Sequence, residues 1–162
     1  MQVRKHLRKL IKDRITNKTA VADRININPA YIAGNPYPYL EISTPDDSSE
    51  LISNSIRSTG HSLKVVIDIL ATAEKEDIYD VLDDIAFDIE TLIEQDETFG
   101  KTVSEFLLTK TETGKNEEGD TTLGFLRMTY ECEYEKQKTP EAASDLPVLR
   151  GFKTEGGPYN AR

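Results

Sequence analysis

The sequence predicts an α+β fold, a two-layer sandwich in which two main helices cover one face of a mixed, mostly antiparallel sheet of about four or five strands. Three observations carry that expectation. Ile78, Val81, Leu82, Ile85, Ile89, Leu92 and Ile93 fall on a single helical face. Leu63, Val65, Ile67 and Ile69 alternate with Ser62, Lys64, Val66, Asp68 and Leu70, which is a strand pattern and, with apolar residues on both faces, that of a central strand. A chain of 162 residues, 37% hydrophobic and 30% charged, has material for one thin core and little room for a second.

The elements follow in order. Val3, Leu7, Leu10 and Ile11 stand at i, i+4, i+7 and i+8, one stripe of an amphipathic helix over residues 2–15 whose other face is basic. Asn17 offers a stop. Val21, Ile25 and Ile27, with Arg24 between them, predict a first strand over 20–27, closed by Asn28-Pro29. Asn35-Pro36-Tyr37-Pro38 is a stiff entry, because its prolines remove ladder donors. Tyr39, Leu40 and Ile42 then predict a second strand over 39–44, ending at Pro45. Asp46-Asp47-Ser48-Ser49 opens a polar stretch to Thr59-Gly60 in which only Leu51, Ile52 and Ile56 are apolar, and it reads as a long connecting loop.

A strand over 61–72 and the helix from Ile78 come next, with Gly100 as breaker. Phe106 and Leu108 mark a fourth strand over 103–112. Leu126, Met128, Tyr130, Cys132 and Tyr134 mark a fifth over 123–135. The charged segment 114–120 between them reads as the loop of a long hairpin. Residues 1–139 thus form one domain, and 140–162, with glycines, prolines and little periodicity, form an extended tail that orders on a partner.

Charge narrows the function classes. Residues 1–18 carry a balance of +6, residues 74–98 a balance of -10, and the whole chain -9. So acidic a body repels nucleic acid except at its basic N-terminal end. Cys132 is the single cysteine, so no intramolecular disulfide forms and an intracellular setting is favoured. No apolar run approaches the roughly 18 residues of a spanning helix, and residues 1–10 lack the apolar stretch of a secretory signal, so no membrane partner is expected.

Several residue groups bear on chemistry. Asp80, Asp84 and Asp88 lie at i, i+4 and i+8, yet one helix without a histidine rarely converges oxygen ligands on a cation, and a solvated face explains them. Residues 116–120 lack the spacing and distal glutamate of a calcium loop. His6 and His61 are the only histidines, and with Cys132 or a serine they offer a nucleophilic pair. No Gly-x-Ser-x-Gly elbow, Gly-rich phosphate loop or Cys/His metal spacing specifies one, so no enzyme, no metal and no cofactor is expected. Cys132 shares a face with Met128, Tyr130 and Tyr134 and is read as a core residue. The basic helix suits phosphates, or an acidic surface on a neighbouring copy. Tyr31, Tyr37 and Tyr39, beside prolines, suit stacking, a core edge or an interface.

In its succession of parts the chain resembles the tail terminator proteins of long-tailed bacteriophages. The resemblance rests on the basic opening helix, the Ala22-Asp23-Arg24-Ile25 segment and Pro38-Tyr39-Leu40-Glu41-Ile42 with its polar continuation. Gly60-His61-Ser62-Leu63-Lys64-Val65-Val66-Ile67, feeding the acidic helix, and the closing Met128-Thr129-Tyr130-Glu131-Cys132-Glu133-Tyr134 complete it. It covers residues 1–135 and lies in element order rather than in a signature motif.

The resemblance implies a structural virion protein, not an enzyme. Its copies would form a homohexameric ring on the head-proximal end of the tail tube, stop tube polymerisation and offer a surface to a head-completion or connector protein. DNA would pass through the ring without specific binding, past acids that repel phosphate. Candidate subunit contacts are Arg4, Arg8, Lys12, Arg24, Tyr37 and Tyr39, with Arg24 pairing either an acid across the boundary or one in its own chain. Candidate contacts to tube or connector are Asp46, Asp47 and Arg57 in the long loop and Lys115, Glu117, Glu118 and Asp120 at the hairpin tip. The alternatives are another ring protein of the head-tail junction or the tube, a small nucleic-acid-associated factor using the basic helix, and a hydrolase. The last predicts a concave pocket holding His61 or His6 beside carboxylates.

Overall fold

The computed structural model describes residues 2–27, 36–53, 58–74, 76–118 and 120–137. Among them the elements are α1 (Val3–Ile15), β1 (Ile25–Asn26), β2 (Tyr39–Ser53), β3 (Ser58–Ala73), α2 (Ile78–Glu94), β4 (Phe106–Glu118) and β5 (Thr121–Gln137). The strands form one sheet in the order β1-β2-β3-β5-β4, with β1 parallel to β2 and every other neighbour antiparallel. The fold is therefore α+β with a mixed, mostly antiparallel sheet. Asn28-Pro29, Tyr31, Asn35, Ile56, Arg57 and the tail after Thr139 lie outside the described residues.

Side-chain alternation explains where the core sits. Leu63, Val65, Ile67 and Ile69 of β3 are fully buried, as are Leu40 and Ile42 of β2 and Met128 of β5, all on one sheet face. Onto that face α1 sets Leu7, Ile11 and Ile15, and α2 sets Ile78, Leu82, Ile85, Ala86, Ile89 and Ile93. Each such aliphatic side chain withdrawn from water contributes roughly 1.5–3 kcal/mol of transfer free energy, so these stripes hold the layers together. Val3, Leu10, Val81 and Leu92 flank them half-buried, while Cys132 is buried among the core residues as expected. Among the described residues no helix is long and apolar enough to cross a membrane.

Three expectations need correction. The first strand shrinks to Ile25–Asn26, because residues 15–24 spend their backbone groups on local turns, Asn17 N to Ala22 O and Arg24 N to Val21 O among them. Asn17 and Ala22 have positive φ there, which a strand does not allow. The long loop predicted from Asp46 is instead the continuation of β2 to Ser53, paired with β3 along its length. Pro45 does not end the strand, since it sits in a bulge where Thr44 and Pro45 together face Val65. The charged segment 114–120 is likewise strand for most of its course. Lys115, Glu117 and Glu118 belong to β4, and β5 begins at Thr121.

Candidate functional site

The bulge in β2 decides which side chains meet beyond the core. Before it, Leu40 and Ile42 face the helices. One extra residue shifts the alternation, so that Asp47, opposite Leu63, turns to the helix side instead of Asp46. His61, next on that face of β3, is paired with Tyr134 of β5. The three side chains converge. His61 Nδ1 lies 3.1 Å from Asp47 Oδ1, Tyr134 donates its hydroxyl to Asp47 Oδ2 at 3.1 Å, and the His61 and Tyr134 rings stack with centroids 4.6 Å apart. Burial, and then the Asp47 carboxylate, push the Tyr134 phenol up to about 12, so it stays a hydrogen-bond donor at neutral pH. The same two causes push the Cys132 thiol up to about 12, which makes it inert rather than nucleophilic.

Two clefts meet at this cluster. A larger one of about 790 Å³ runs along Ser48, Glu50, His61, Ser104, Glu133 and Glu135. Of the serines on its walls, Ser48 directs Oγ to Ser62 O at 3.5 Å and Ser104 directs Oγ to Glu133 O at 3.0 Å. The smaller cleft, about 360 Å³, lies between the start of α1 and the sheet, with Arg4, Lys5, Arg8, Asp47, His61 and Lys136 on its walls. Arg4 Nη2 donates to Thr44 O at 2.6 Å, and Arg8 Nη1 donates to the Thr44 hydroxyl. The bulge residue thus pins two guanidiniums side by side. Burial, and then Arg4, lower the Arg8 guanidinium from its ordinary value.

The remaining candidate residues are scattered. Lys12 is half-buried on α1, and its carbonyl accepts from the Thr16 hydroxyl at 2.7 Å. Arg24 donates to Pro38 O at 2.7 Å and Ala20 O at 2.9 Å, so both bonds stay in its own chain and neither reaches an acid. Tyr39 is buried, whereas Tyr37, its ring centroid 5.3 Å away, is 41% exposed. Asp46 is exposed on β2, and Arg57 lies outside the described residues. At the far end of the sheet Lys115 pairs with Glu117 at 3.0 Å and sits 5.6 Å from the Tyr79 ring, with Asp120 exposed at the turn. Lys115 is opposite Gly124 and His61 opposite Tyr134, so these two groups are separated by about ten residues of β5, roughly 30 Å at 3.3 Å per residue. Asp80, Asp84 and Asp88 are exposed on α2.

Sequence reasoning named Asp47 and His61 separately and did not join them. The join depends on a one-residue bulge that leaves no mark in composition. In the sequence Arg14 is one of several basic residues of the opening helix, with nothing to single it out. It donates to Asp96 O at 2.6 Å and Ile93 O at 3.4 Å, pairs with the Asp96 carboxylate at 3.2 Å and lies 4.1 Å above the Phe99 ring. It fastens the end of α1 to the end of α2.

No family model matches the chain, and no curated protein does. Among solved structures it is similar to a chain in the virion of a native gene transfer agent particle, with a TM-score of 0.39 and 11% identity over 79% of this chain and 95% of that one.

Proposed function

We propose that the chain is a structural subunit whose copies close into a ring at the head-proximal end of a phage tail tube, ending tube growth and presenting a surface for head attachment. The observation that carries this reading is the one-sided construction of the subunit, taken with the resemblance in element order. Helices cover one face of the sheet, while the other exposes Leu107 (47%), Phe125 (45%) and the Asp68–Arg127 ion pair. The subunit also has two chemically distinct ends, the β4–β5 turn and the Asp47–His61 end, which suits one contact to the tube and another to a connector. Arg4, Arg8, Lys12, Arg24, Tyr37 and Tyr39 stay the proposed subunit contacts. Of these, Tyr37 is an exposed ring suited to an interface, and Arg4, Arg8 and Arg24 already hold backbone or hydroxyl groups of their own chain.

Light scattering across a concentration series, with electron microscopy after addition of tube protein, tests the reading. The expected result is a ring of about six copies, alone or seated on tube ends, with tubes of limited length. A chain that stays monomeric with tube protein present overturns it. Another ring protein of the junction is distinguished by tube length, which it would leave uncontrolled.

The hydrolase reading has one observation in its favour, the His61–Asp47 pair in a cleft beside Glu133 and Glu135. Among the described residues no serine, threonine or cysteine is hydrogen-bonded to His61. Ser48, Ser104 and Cys132 each direct their hydroxyl or thiol to a backbone carbonyl, Cys132 Sγ lying 3.6 Å from Leu63 O.

A further inference from the structure

The smaller cleft at the start of α1 holds two of the proposed subunit contacts, Arg4 and Arg8, in an arrangement that a contact between copies does not by itself explain. Two guanidiniums, those of Arg4 and Arg8, are held together by one threonine rather than by a carboxylate. Like charges side by side cost free energy unless an anion sits between them. Arg8 Nε is buried within a half-buried side chain and has no hydrogen-bond partner among the described residues, and a covered donor left unmet on a charged group points to a missing acceptor. Lys5 and Lys136 open on the same cleft, and neither has an ion pair among the described residues. The single acid on the walls, Asp47, is hydrogen-bonded to Tyr134 and His61 and makes no ion pair with Arg4 or Arg8.

We infer that this cleft is a binding site for a phosphoryl oxyanion, held by Arg4 and Arg8 with Lys5 and Lys136 closing over it. A tetrahedral oxyanion suits the donor set better than a planar carboxylate. One guanidinium fork satisfies a carboxylate, whereas two guanidiniums and two ammonium groups approach from several directions and match three or four oxygens. The volume, about 360 Å³, accommodates a hydrated phosphate or one phosphodiester of a strand laid across the opening. Thr44 fixes both arginines beforehand, which lowers the entropy lost on binding.

The test is calorimetric titration of the full chain with sodium phosphate, replacing chloride at fixed ionic strength, with acetate as the carboxylate control. The expected result is saturable binding of one phosphate per chain, with acetate at least about tenfold weaker. Replacing the exposed pair, Lys5→Gln with Lys136→Gln, weakens phosphate about tenfold or more while the melting temperature in chloride stays unchanged. Arg8→Lys keeps the charge but loses Nε and also weakens binding. Absence of saturable binding overturns the site, as does equal affinity for acetate, or wild-type affinity in the doubly substituted chain. A short single-stranded oligonucleotide identifies the source of the oxyanion: if it displaces phosphate the site takes a phosphodiester, and if it does not the site takes the free ion. Ring formation has no part in these readouts, so failure here and failure of the ring reading are separate results.

Discussion

Asp96 joins two helix ends with one carboxylate. Its Oδ1 accepts from the Thr98 hydroxyl at 2.7 Å and the Thr98 N–H at 3.1 Å, and its Oδ2 accepts from the Gly100 N–H at 2.8 Å and from Arg14 at 3.2 Å. Gly100 can close this turn because its φ of +66° costs glycine little. These bonds, the Thr98 hydroxyl first and Gly100 next, hold the carboxyl at about 2 instead of 3.8. The folded chain therefore takes up this proton at lower pH than the unfolded chain does. The stabilisation is complete above the unfolded value and is lost as pH falls through about 2. Asp96→Asn is accordingly expected to lower the midpoint of urea unfolding at neutral pH. The gap from wild type should narrow steadily between about pH 4 and pH 2. A gap that does not change over that interval would mean that the carboxylate charge is not what matters.

Among the elements, α2 and β5 meet at a glycine. A Cβ on Gly124 would lie 2.4 Å from Ile78 Cγ1 and 2.9 Å from Leu82 Cδ1, so the helix can lie this close to the strand only over a residue without a side chain. Gly124→Ala is expected to destabilise the fold by about 1–3 kcal/mol through overpacking, read from denaturant unfolding. Gly114 is a useful contrast. It pairs directly with Phe125, and the atoms a Cβ would meet there belong to the tip of that ring. Phe125 is 45% exposed and can swing aside, so Gly114→Ala should cost well under half as much.

These elements also mark how far the sequence could be read. β3 and α2 were legible because a buried strand and a one-faced helix each impose a period on apolar residues over several turns. The second half of β2 was not, because residues 46–50 are polar in unbroken succession and what makes them a strand is the ladder to β3, a long-range fact. The same holds for Lys115 and Glu117, whose charges read as a loop yet stand on β4. At the cleft, the basic residues of α1 were legible as a group. Their division into Arg4 and Arg8, bonded to Thr44, and Lys5 and Lys9, left without such a bond, follows from packing against a strand whose course composition does not disclose.

On the scale of the whole molecule, β3 spans 16 residues, a length of roughly 50 Å at 3.3 Å per residue, and the charged groups of interest sit toward its two ends. The separation exceeds the screening length of about 8 Å at physiological salt several times over. The two ends are therefore electrically independent. Reversing the turn charges with Lys115→Glu and Asp120→Lys should leave phosphate affinity at the opposite cleft unchanged, while altering the salt dependence of whichever partner contacts the turn. A change in phosphate affinity in that variant would reveal a mechanical link through the sheet that Coulomb interactions cannot supply.

The bulge at Thr44 and Pro45 has a consequence for which sequences can share this arrangement. Surface connections ordinarily tolerate added or missing residues, but between Ile42 and Asp47 the number of residues is itself the information. Were the same residues to run as a regular ladder without the bulge, Asp46 rather than Asp47 would stand opposite Leu63 and face His61. This short segment is thus constrained in its backbone course and, at Thr44 and Asp47, in its side chains, the reverse of what its polar, proline-containing sequence suggests.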